Sequence, residues 1–205
     1  TAISAASENL KLKLILNQVD NELIQDTTED INKYTKYLSN TINDFKNFYK
    51  TNKSRETTNL NEMAEKSLNI IEDSITYKNI KIIKNFNSRS DIKTYMNEVT
   101  QVILTLLQNA EDILLEKQTQ NPYIKINTFE NEKHLYLQVI DNGGGIPQDI
   151  IDKIFDPYFS TKHEKNGTGL GLYFAKSIIE NNCDALLTVE NNQDEAVFTI
   201  RFKKE

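Results

Sequence analysis

The segments Asp141-Asn-Gly-Gly-Gly-Ile-Pro147 and Asn166-Gly-Thr-Gly-Leu-Gly-Leu172 contain all six glycines of this 205-residue chain. Glycine tolerates positive φ angles and lets the backbone approach a ligand without a Cβ in the way. Its concentration at two places therefore predicts two loops of special conformation or close approach. Between them lies Phe155-Asp-Pro-Tyr-Phe-Ser-Thr-Lys162. This arrangement points to a nucleotide site.

The composition alone excludes several classes of protein, before any helix or strand is assigned. With 24 Lys and Arg against 30 Asp and Glu, the net charge is -6, and the basic residues are scattered along the chain. No basic stripe is present that could bind the phosphate backbone of a nucleic acid, so we expect no nucleic-acid partner. The single cysteine, Cys183, excludes a disulfide framework and suits a reducing, cytoplasmic location. No apolar run approaches the roughly 20 residues of a membrane span, so any membrane attachment would come from upstream segments.

The first fifty residues contain neither glycine nor proline and carry apolar side chains at helical spacing. One seam comprises Leu12, Leu16, Val19 and Leu23, and a second comprises Ile31, Tyr34, Leu38, Ile42, Phe45 and Phe48. The polar segment 25–30 lies between the seams and offers Asp and Thr as N-caps for the second helix. We therefore predict an antiparallel helical hairpin over residues 1–52. Two such helices bury little surface alone, so the hairpin is expected to be half of a four-helix bundle in a homodimer.

After the polar stretch 53–58, which we interpret as a linker, the pattern changes to mixed α and β. Asn59 followed by Glu62 resembles a capping box that starts a helix. The periods predict a helix at 59–77, a strand at 80–86, a helix at 92–117, strands at 124–129 and 135–140, a helix at 172–180, and strands at 186–190 and 196–202. This succession predicts an α+β sandwich over 59–205, with helices on one face of a mostly antiparallel sheet.

The first glycine cluster follows directly on a predicted strand that runs into Asp141. A strand that ends in this way presents a carboxylate at the floor of a pocket whose rim is bare backbone. Such a carboxylate is a hydrogen-bond acceptor for an amino group, for example the exocyclic amine of adenine. The alternative is a tight Asp-Gly type of turn that binds nothing.

The second glycine cluster leads into the predicted helix at 172–180. Successive unhindered amides at a helix N-terminus can bind an anion, although a flexible linker would have the same composition. Asn109 is a polar side chain on an otherwise apolar helix face, where it could hold the metal of a triphosphate. Its alternative is a local bond to backbone or water. The chain has neither a Gly-x-x-x-x-Gly-Lys-Ser/Thr loop nor a βαβ dinucleotide fingerprint, which excludes the usual phosphate-loop families.

Four segments, 101–112, 141–147, 154–162 and 166–172, resemble in order and spacing the asparagine, first glycine, phenylalanine and second glycine boxes of sensor histidine kinases. Four ordered motifs are a far more specific match than any one of them. The resemblance covers 59–205, and a helical hairpin before a short linker is also how this family joins its dimerisation and phosphotransfer domain to its ATP-binding domain. It implies binding of ATP and Mg2+.

The resemblance also implies roles for individual residues. Asn109 resembles the residue that coordinates magnesium, and Asp141 the carboxylate that recognises adenine. Lys162 lies where a cation could meet the γ-phosphate, with a solvated surface lysine as the alternative. Residues 161–168 would form a lid over the nucleotide. The implied catalytic residues are Asn109 and Lys162, the implied metal ligand is Asn109, and the implied ATP-binding residues are Asn109, Asp112, Asp141, Gly143, Gly145, Ile146, Phe155, Phe159, Thr161, Lys162, Gly167, Thr168, Gly169, Leu170 and Gly171.

Two features depart from the family pattern. The family's phosphoacceptor lies in a His-Glu-x-x-x-Pro-Leu motif, and Thr1-Ala-Ile-Ser-Ala5 looks like the residues directly after it, so we expect the acceptor about two helical turns upstream. His134 and His163 both belong to the predicted ATP domain, so we expect this fragment to bind ATP without phosphorylating itself.

Thr105 is the second departure, because many members have a second asparagine at this position. The metal shell is therefore expected to be completed by water or to bind less tightly.

The leading hypothesis is the cytoplasmic catalytic core of a two-component sensor kinase. In the full-length protein it would phosphorylate a histidine and pass the phosphoryl group to an aspartate of a response regulator. The gyrase and chaperone relatives have a water-activating glutamate near the position of Thr105, and its absence favours a kinase over an ATPase. Two alternatives stay open: a degenerate, non-catalytic scaffold that binds ATP or dimerises, and a serine kinase of the anti-sigma type, which would not need the long hairpin.

Overall fold

The computed structural model describes residues 2–16, 18–48, 54–161 and 168–204. By its contacts the chain divides into two compact units, one comprising Thr1–Lys50 with Pro157–Leu170 and the other Thr51–Asp156 with Gly171–Glu205. Among the described residues, no helix combines the length and apolar character needed to cross a membrane. Domain limits at 52 and 59 stay a prediction.

The N-terminal residues form two packed helices, α1 (Ala2–Ile15) and α2 (Asn21–Phe48). The hairpin is confirmed, but α1 ends at Ile15 and α2 begins at Asn21, so the predicted break between the helices at 25–30 is wrong. Asp20 starts α2, because its carboxylate accepts the N–H of Leu23 at 2.7 Å. The polar residues at 25–30 are absorbed by the helix, as Thr28 shows by donating its hydroxyl to the carbonyl of Ile24. In the second seam Ile31 and Tyr34 are half-buried, and the side chains from Leu38 onward lie outside the described residues.

The second unit is built on a five-stranded sheet that comprises β2 (Lys81–Phe86), β4 (Tyr123–Glu130), β5 (His134–Asp141), β6 (Ala185–Asn192) and β7 (Glu195–Lys203). The strands lie in the order β2-β4-β5-β7-β6. β2 pairs with β4 in parallel and the other three pairings are antiparallel. The predicted α+β sandwich with a mostly antiparallel sheet is therefore confirmed.

One face of this sheet forms the core. The alternation of side chains in β4 and β5 places Ile124, Ile126, Leu135, Leu137 and Val139 on that face, and all five are at most 1% exposed. Three helices, α3 (Leu60–Tyr77), α4 (Met96–Glu116) and α5 (Gly171–Ser177), contribute further buried residues to the core. Their apolar residues recur at the spacing of an amphipathic helix, so burial of this stripe explains their formation. The predicted helix at 172–180 is shorter than expected, because α5 continues as a π-helical turn at Ile178–Asn182.

Two short strands were not predicted. β1 (Glu56–Asn59) pairs antiparallel with β3 (Asp91–Thr94), so the segment interpreted as a linker contains a strand, and α4 begins at Met96 instead of residue 92. Thr57, Thr58 and Ile92 are β-branched residues that favour the strand once a partner is present. Asn59 then starts α3 as predicted, accepting the N–H of Glu62 at 3.0 Å. The Glu62 carboxylate accepts from the Thr58 hydroxyl instead of completing the box.

Glu130, at the end of β4, organises the connection between β2 and β3. Its carboxylate accepts the backbone N–H groups of Arg89 and Ser90 at 3.2 and 3.0 Å, and also the Ser88 hydroxyl at 3.2 Å. Lys204 contributes its ammonium at 3.3 Å. The bonds from Ser90, Arg89 and Lys204 outweigh desolvation and lower the pKa of Glu130 to about 2.

We expect Glu130→Gln to destabilise the protein at neutral pH, because the amide is a weaker acceptor for these donors than the carboxylate. The folded-state pKa lies below the ordinary value of 4.5, so the stabilisation is complete above that value and is lost as the pH falls through about 2. Urea unfolding at pH 7 and pH 3 would measure the difference in the free energy of unfolding. The exposed Glu132→Gln is the matched control, and an equal deficit for Glu130→Gln at both pH values would contradict this account.

Candidate functional site

Asp141 is a buried carboxylate at the end of β5. It lies on the core-facing side of the sheet, is 4% exposed, and accepts the N–H of Gly143 at 2.9 Å through Oδ1. Burial raises its pKa to about 6, against the lowering effect of the Gly143 N–H and the Lys117 charge. A carboxylate has about four lone-pair sites, so the bond from Gly143 leaves it further acceptor capacity. The fold thus presents an acceptor where water competes weakly.

Gly143 lies where a side chain would not fit. A Cβ at this position would come within 2.8 Å of Asp141 Oδ1 and 2.9 Å of Ile113 Cγ2. Ile113 belongs to α4, so the glycine allows helix and loop to approach each other beside the carboxylate. Ile113 was not among the predicted site residues, although its spacing of one helical turn from Asn109 was a usable signal.

The loop after Asp141 is held by side chains and backbone from two other elements. Lys117, directly after α4, donates its ammonium to the carbonyl of Gly143 at 2.6 Å. Asn191 on β6 accepts the N–H of Ile146 at 2.9 Å and donates to the carbonyl of Ile146 at 2.7 Å. The N–H of Gly144 bonds to the carbonyl of Asp194 at 2.9 Å. No local motif predicted these contacts, because they join residues that are distant in sequence.

The predicted metal ligand, Asn109, lies in the middle of a row on α4. Thr105, Asn109 and Ile113 are spaced four apart and therefore share one helix face. The two ends of the row lie close to Gly171 and Gly143: Thr105 Cγ2 would lie 3.4 Å from a Cβ on Gly171, and Ile113 packs against Gly143. Asn109 is half-buried between them. The structure thus brings Asn109, Asp141, Gly143 and Gly171 to one region of the second unit.

The other predicted residues of the second unit are Gly145, Ile146, Phe155 and Asp112. Gly145 has a φ of +66°, which favours glycine, and precedes Ile146 in the loop held by Asn191. Phe155 packs edge-on against Phe198 with ring centroids 6.5 Å apart, and the Lys176 ammonium lies 4.7 Å from its ring centre. Asp112 is exposed on α4, outside the row that contains Asn109.

The remaining predicted residues belong to the other unit or to undescribed positions. Gly169 has a φ of +65°, and a Cβ there would come within 2.5 Å of the Tyr158 backbone carbonyl carbon. Leu170 is buried and donates its N–H to the Thr168 hydroxyl at 3.2 Å. Phe159 is half-buried and Thr161 is exposed. Lys162 and Gly167 lie outside the described residues.

The donor set around Asn109 suits a hard cation only in part. Thr105 donates its hydroxyl to the carbonyl of Gln101 at 3.0 Å, so this side chain is engaged by its own helix. Within the described ranges, no group of three His, Cys, Asp or Glu side chains is placed to hold a metal ion. An amide oxygen such as that of Asn109 is a ligand type that Mg2+ accepts together with water and phosphate oxygens.

Sequence comparisons identify relatives that are named as sensor histidine kinases. A family model described as Histidine kinase-, DNA gyrase B-, and HSP90-like ATPase matches residues 95–205. A Rickettsia bellii protein named as an NtrY-like sensor histidine kinase is 27% identical over 210 residues, covering 100% of this chain and 33% of that protein. The sensor histidine kinase ZraS of Salmonella typhimurium is 32% identical over 149 residues, covering 71% of this chain and 30% of ZraS. The chain therefore spans about a third of the length of these relatives.

Solved structures agree in fold. The catalytic domain of histidine kinase ThkA aligns with a TM-score of 0.64 at 29% identity, covering 73% of this chain and 95% of that domain. The histidine kinase AdeS of Acinetobacter baumannii aligns with a TM-score of 0.67 at 20% identity, covering 99% of this chain and 95% of that one. The AdeS likeness is one of fold alone.

We expect Gly143→Ala to lower the free energy of unfolding by about 1–3 kcal/mol, the usual cost of forcing a methyl into a packed site. Adding Ile113→Leu should recover part of the loss, because leucine lacks the Cγ2 atom that the new methyl would meet. Urea unfolding of the single and double variants measures both effects. Gly171→Ala is the control, since its Cβ would make an ordinary 3.4 Å contact; equal costs at the two glycines would refute the close packing at Gly143.

Proposed function

Because the chain belongs to the Histidine kinase-, DNA gyrase B-, and HSP90-like ATPase family and carries an ATP-binding domain of the sensor histidine kinase type, we propose that Asp141 and its surroundings recognise the adenine base of ATP. The single observation that carries this proposal is the buried Asp141 carboxylate beside a glycine whose Cβ position is filled by Ile113. An ionised carboxylate accepts a hydrogen bond from the exocyclic amine, and the apolar side chain offers a surface to the flat base.

Asn109 is our proposed ligand for Mg2+. It is the polar side chain in the middle of the row between Gly143 and Gly171, and its amide oxygen is a hard ligand. The Thr105 hydroxyl is used by its own helix, so we assign no ligand role to it. Mg-ATP, when bound, supplies the phosphoryl group and the cation that neutralises phosphate charge. Roles for Lys162 and for the glycines at 167–171 towards the phosphates remain part of the same proposal.

For the full-length protein we propose phosphorylation of a histidine, followed by transfer to a response regulator. The relatives are named as sensor histidine kinases, and ThkA has been solved in complex with the response regulator protein TrrA. The two histidines of this chain, His134 and His163, both follow residue 59, so we expect no autophosphorylation by this chain alone. We also propose a cytoplasmic location, because the relatives are named as sensor histidine kinases and the family model that matches is an ATPase domain.

Homodimerisation through the N-terminal helices is also a proposal. In the single chain, the helices expose several large apolar side chains at 45–70% of their surface: Leu12, Leu14, Ile15, Leu16 and Ile24. Exposed apolar residues concentrated in one short region are typical of a protein interface. A second copy of the hairpin would cover them in a four-helix bundle.

We expect Asp141→Asn to weaken ATP binding by about tenfold or more, because a charged hydrogen-bond acceptor becomes neutral. The same variant should be more stable than the wild type at pH 8. The folded pKa of about 6 lies above the ordinary 3.8, so burying the charged form costs stability above pH 6 and costs nothing below about pH 4. Calorimetric titration with ATP and MgCl2, together with urea unfolding at pH 8 and pH 4, measures both effects.

Two further variants sharpen this experiment. Asp149→Asn removes an exposed carboxylate near the same loop and should leave ATP binding unchanged. Asn109→Ala should weaken binding with magnesium more than binding with EDTA. If the wild-type chain shows no saturable binding at millimolar ATP, the kinase function fails and the scaffold alternative takes its place.

Ile15→Glu should shift the chain from dimer to monomer, because a charge would be buried at the proposed helix interface. Analytical ultracentrifugation at micromolar concentration measures the mass. Gln25→Glu adds the same charge at an exposed polar position of α2 and is expected to leave the dimer intact. A wild-type chain that is monomeric up to high micromolar concentration would rule out a stable dimer of this chain.

A further inference from the structure

Lys117 occupies an unusual place for a lysine that follows a helix. Its own N–H continues the bonding of α4 by contacting the carbonyl of Ile113 at 3.0 Å. Its ammonium donates to the carbonyl of Gly143 at 2.6 Å, and Nζ lies 3.3 Å from where a Cβ of Gly144 would be. A lysine loses considerable side-chain entropy when it is fixed in this way. The contact links the end of α4 to the loop that follows Asp141, and it fixes a positive charge beside that loop.

We propose that Lys117 is a positioning residue for base recognition, which holds Gly143 in place and keeps Asp141 charged as an acceptor for the amino group of a 6-aminopurine nucleotide. This inference rests on the proposed function of Asp141 and adds to it a determinant of base specificity. Lys117 touches the loop and acts on the base through Asp141.

The N–H of Gly143 is the larger contribution that opposes protonation of Asp141, and Lys117 adds the charge that acts in the same direction. Burial favours the neutral carboxyl, and the negative charge of Glu195 on β7 acts in the same direction. Glu195 is itself held by Tyr123 at 2.5 Å and by Lys125 at 3.0 Å, so the positive charge of Lys125 is engaged there. The N–H of Gly143 and the charge of Lys117 favour the carboxylate. Removal of Lys117 would leave burial and Glu195 opposed by a single backbone hydrogen bond.

Asn191, on β6, provides a neutral comparison because it holds the same loop. It holds Ile146 through two hydrogen bonds, and a Cβ on Gly145 would lie 3.0 Å from its Oδ1. Loss of Asn191 should loosen the loop without changing the charge near Asp141. The two residues therefore separate a purely mechanical contribution from an electrostatic one.

The experiment is calorimetric titration of ATP and of inosine triphosphate, which has a carbonyl in place of the 6-amino group, between pH 5 and pH 8.5. The proteins are the 205-residue wild type, Lys117→Met, Lys117→Gln, Lys117→Arg, Asn191→Leu and the exposed Lys133→Met. Lys117→Gln keeps a donor for Gly143 and removes the charge. Thermal unfolding at pH 8 establishes that each variant is folded.

We expect wild-type ATP affinity to fall below about pH 6, as Asp141 becomes protonated. In Lys117→Met and Lys117→Gln this fall should begin at a pH higher by about one unit, the lower end of the usual effect of a neighbouring charge. At pH 6.5 their preference for ATP over inosine triphosphate should drop several-fold, about tenfold at most. Lys117→Arg should restore the wild-type profile, and Lys133→Met should match it. Asn191→Leu should bind more weakly at every pH with the profile unmoved.

The proposal is overturned if the pH profile of Lys117→Gln coincides with that of the wild type, or if Asn191→Leu moves the profile as far as Lys117→Met does. Wild-type chain that fails to bind ATP at pH 8 refutes the proposed function itself, and this inference with it. Wild-type binding with an unchanged Lys117→Gln profile leaves the proposed function standing and refutes only the role of Lys117.

Discussion

The register of β5 against its neighbours is the constraint on which the candidate site depends. Successive side chains of a strand point to opposite faces, so the apolar row that fills the core also decides where the polar residue at its end lies. Leu135, Leu137 and Val139 are buried, and Asp141 is the next residue of the same row. A slip by one residue would expose the apolar row and move the carboxylate to the open face. Core formation and carboxylate placement therefore have one cause.

The glycine loop gains its shape from residues outside it. Positive φ angles at Gly144 and Gly145 permit the turn, but glycine also has the most conformational freedom to lose on ordering. Lys117 and Asn191 restrict this freedom from positions 26 and 45 residues away along the chain. A loop ordered before the ligand arrives loses less entropy on binding, which favours affinity. The contacts far from the motif thus bear on how well the motif binds.

The sequence predicted the features that depend on residues close together along the chain. Alternation and helical periodicity located the five long strands and the main helices, and Asp141 was found because it adjoins the glycines. The hairpin turn was misplaced because Leu16 and Val19 continue the apolar spacing of the first seam, whereas 25–30 contains only polar residues. The cap made by Asp20 is what starts α2 earlier than the polarity indicates. β1 and β3 have four residues each, too few for a period, and they form by pairing with each other. Lys117 and Asn191 resemble ordinary surface residues until the fold brings them to the loop.

Two carboxylates at the ends of adjacent strands show how environment separates a structural group from a functional one. Glu130 ends β4, is surrounded by donors, and has a lowered pKa, so its charge stabilises the fold. Asp141 ends β5, is buried with few donors, and has a raised pKa, so its charge costs stability. An apolar residue would suit the core row better at that position. Asp141 interrupts the apolar row of β5, and burial of its charge lowers the stability of the fold. Such a residue marks a place where folding and ligand recognition favour different side chains.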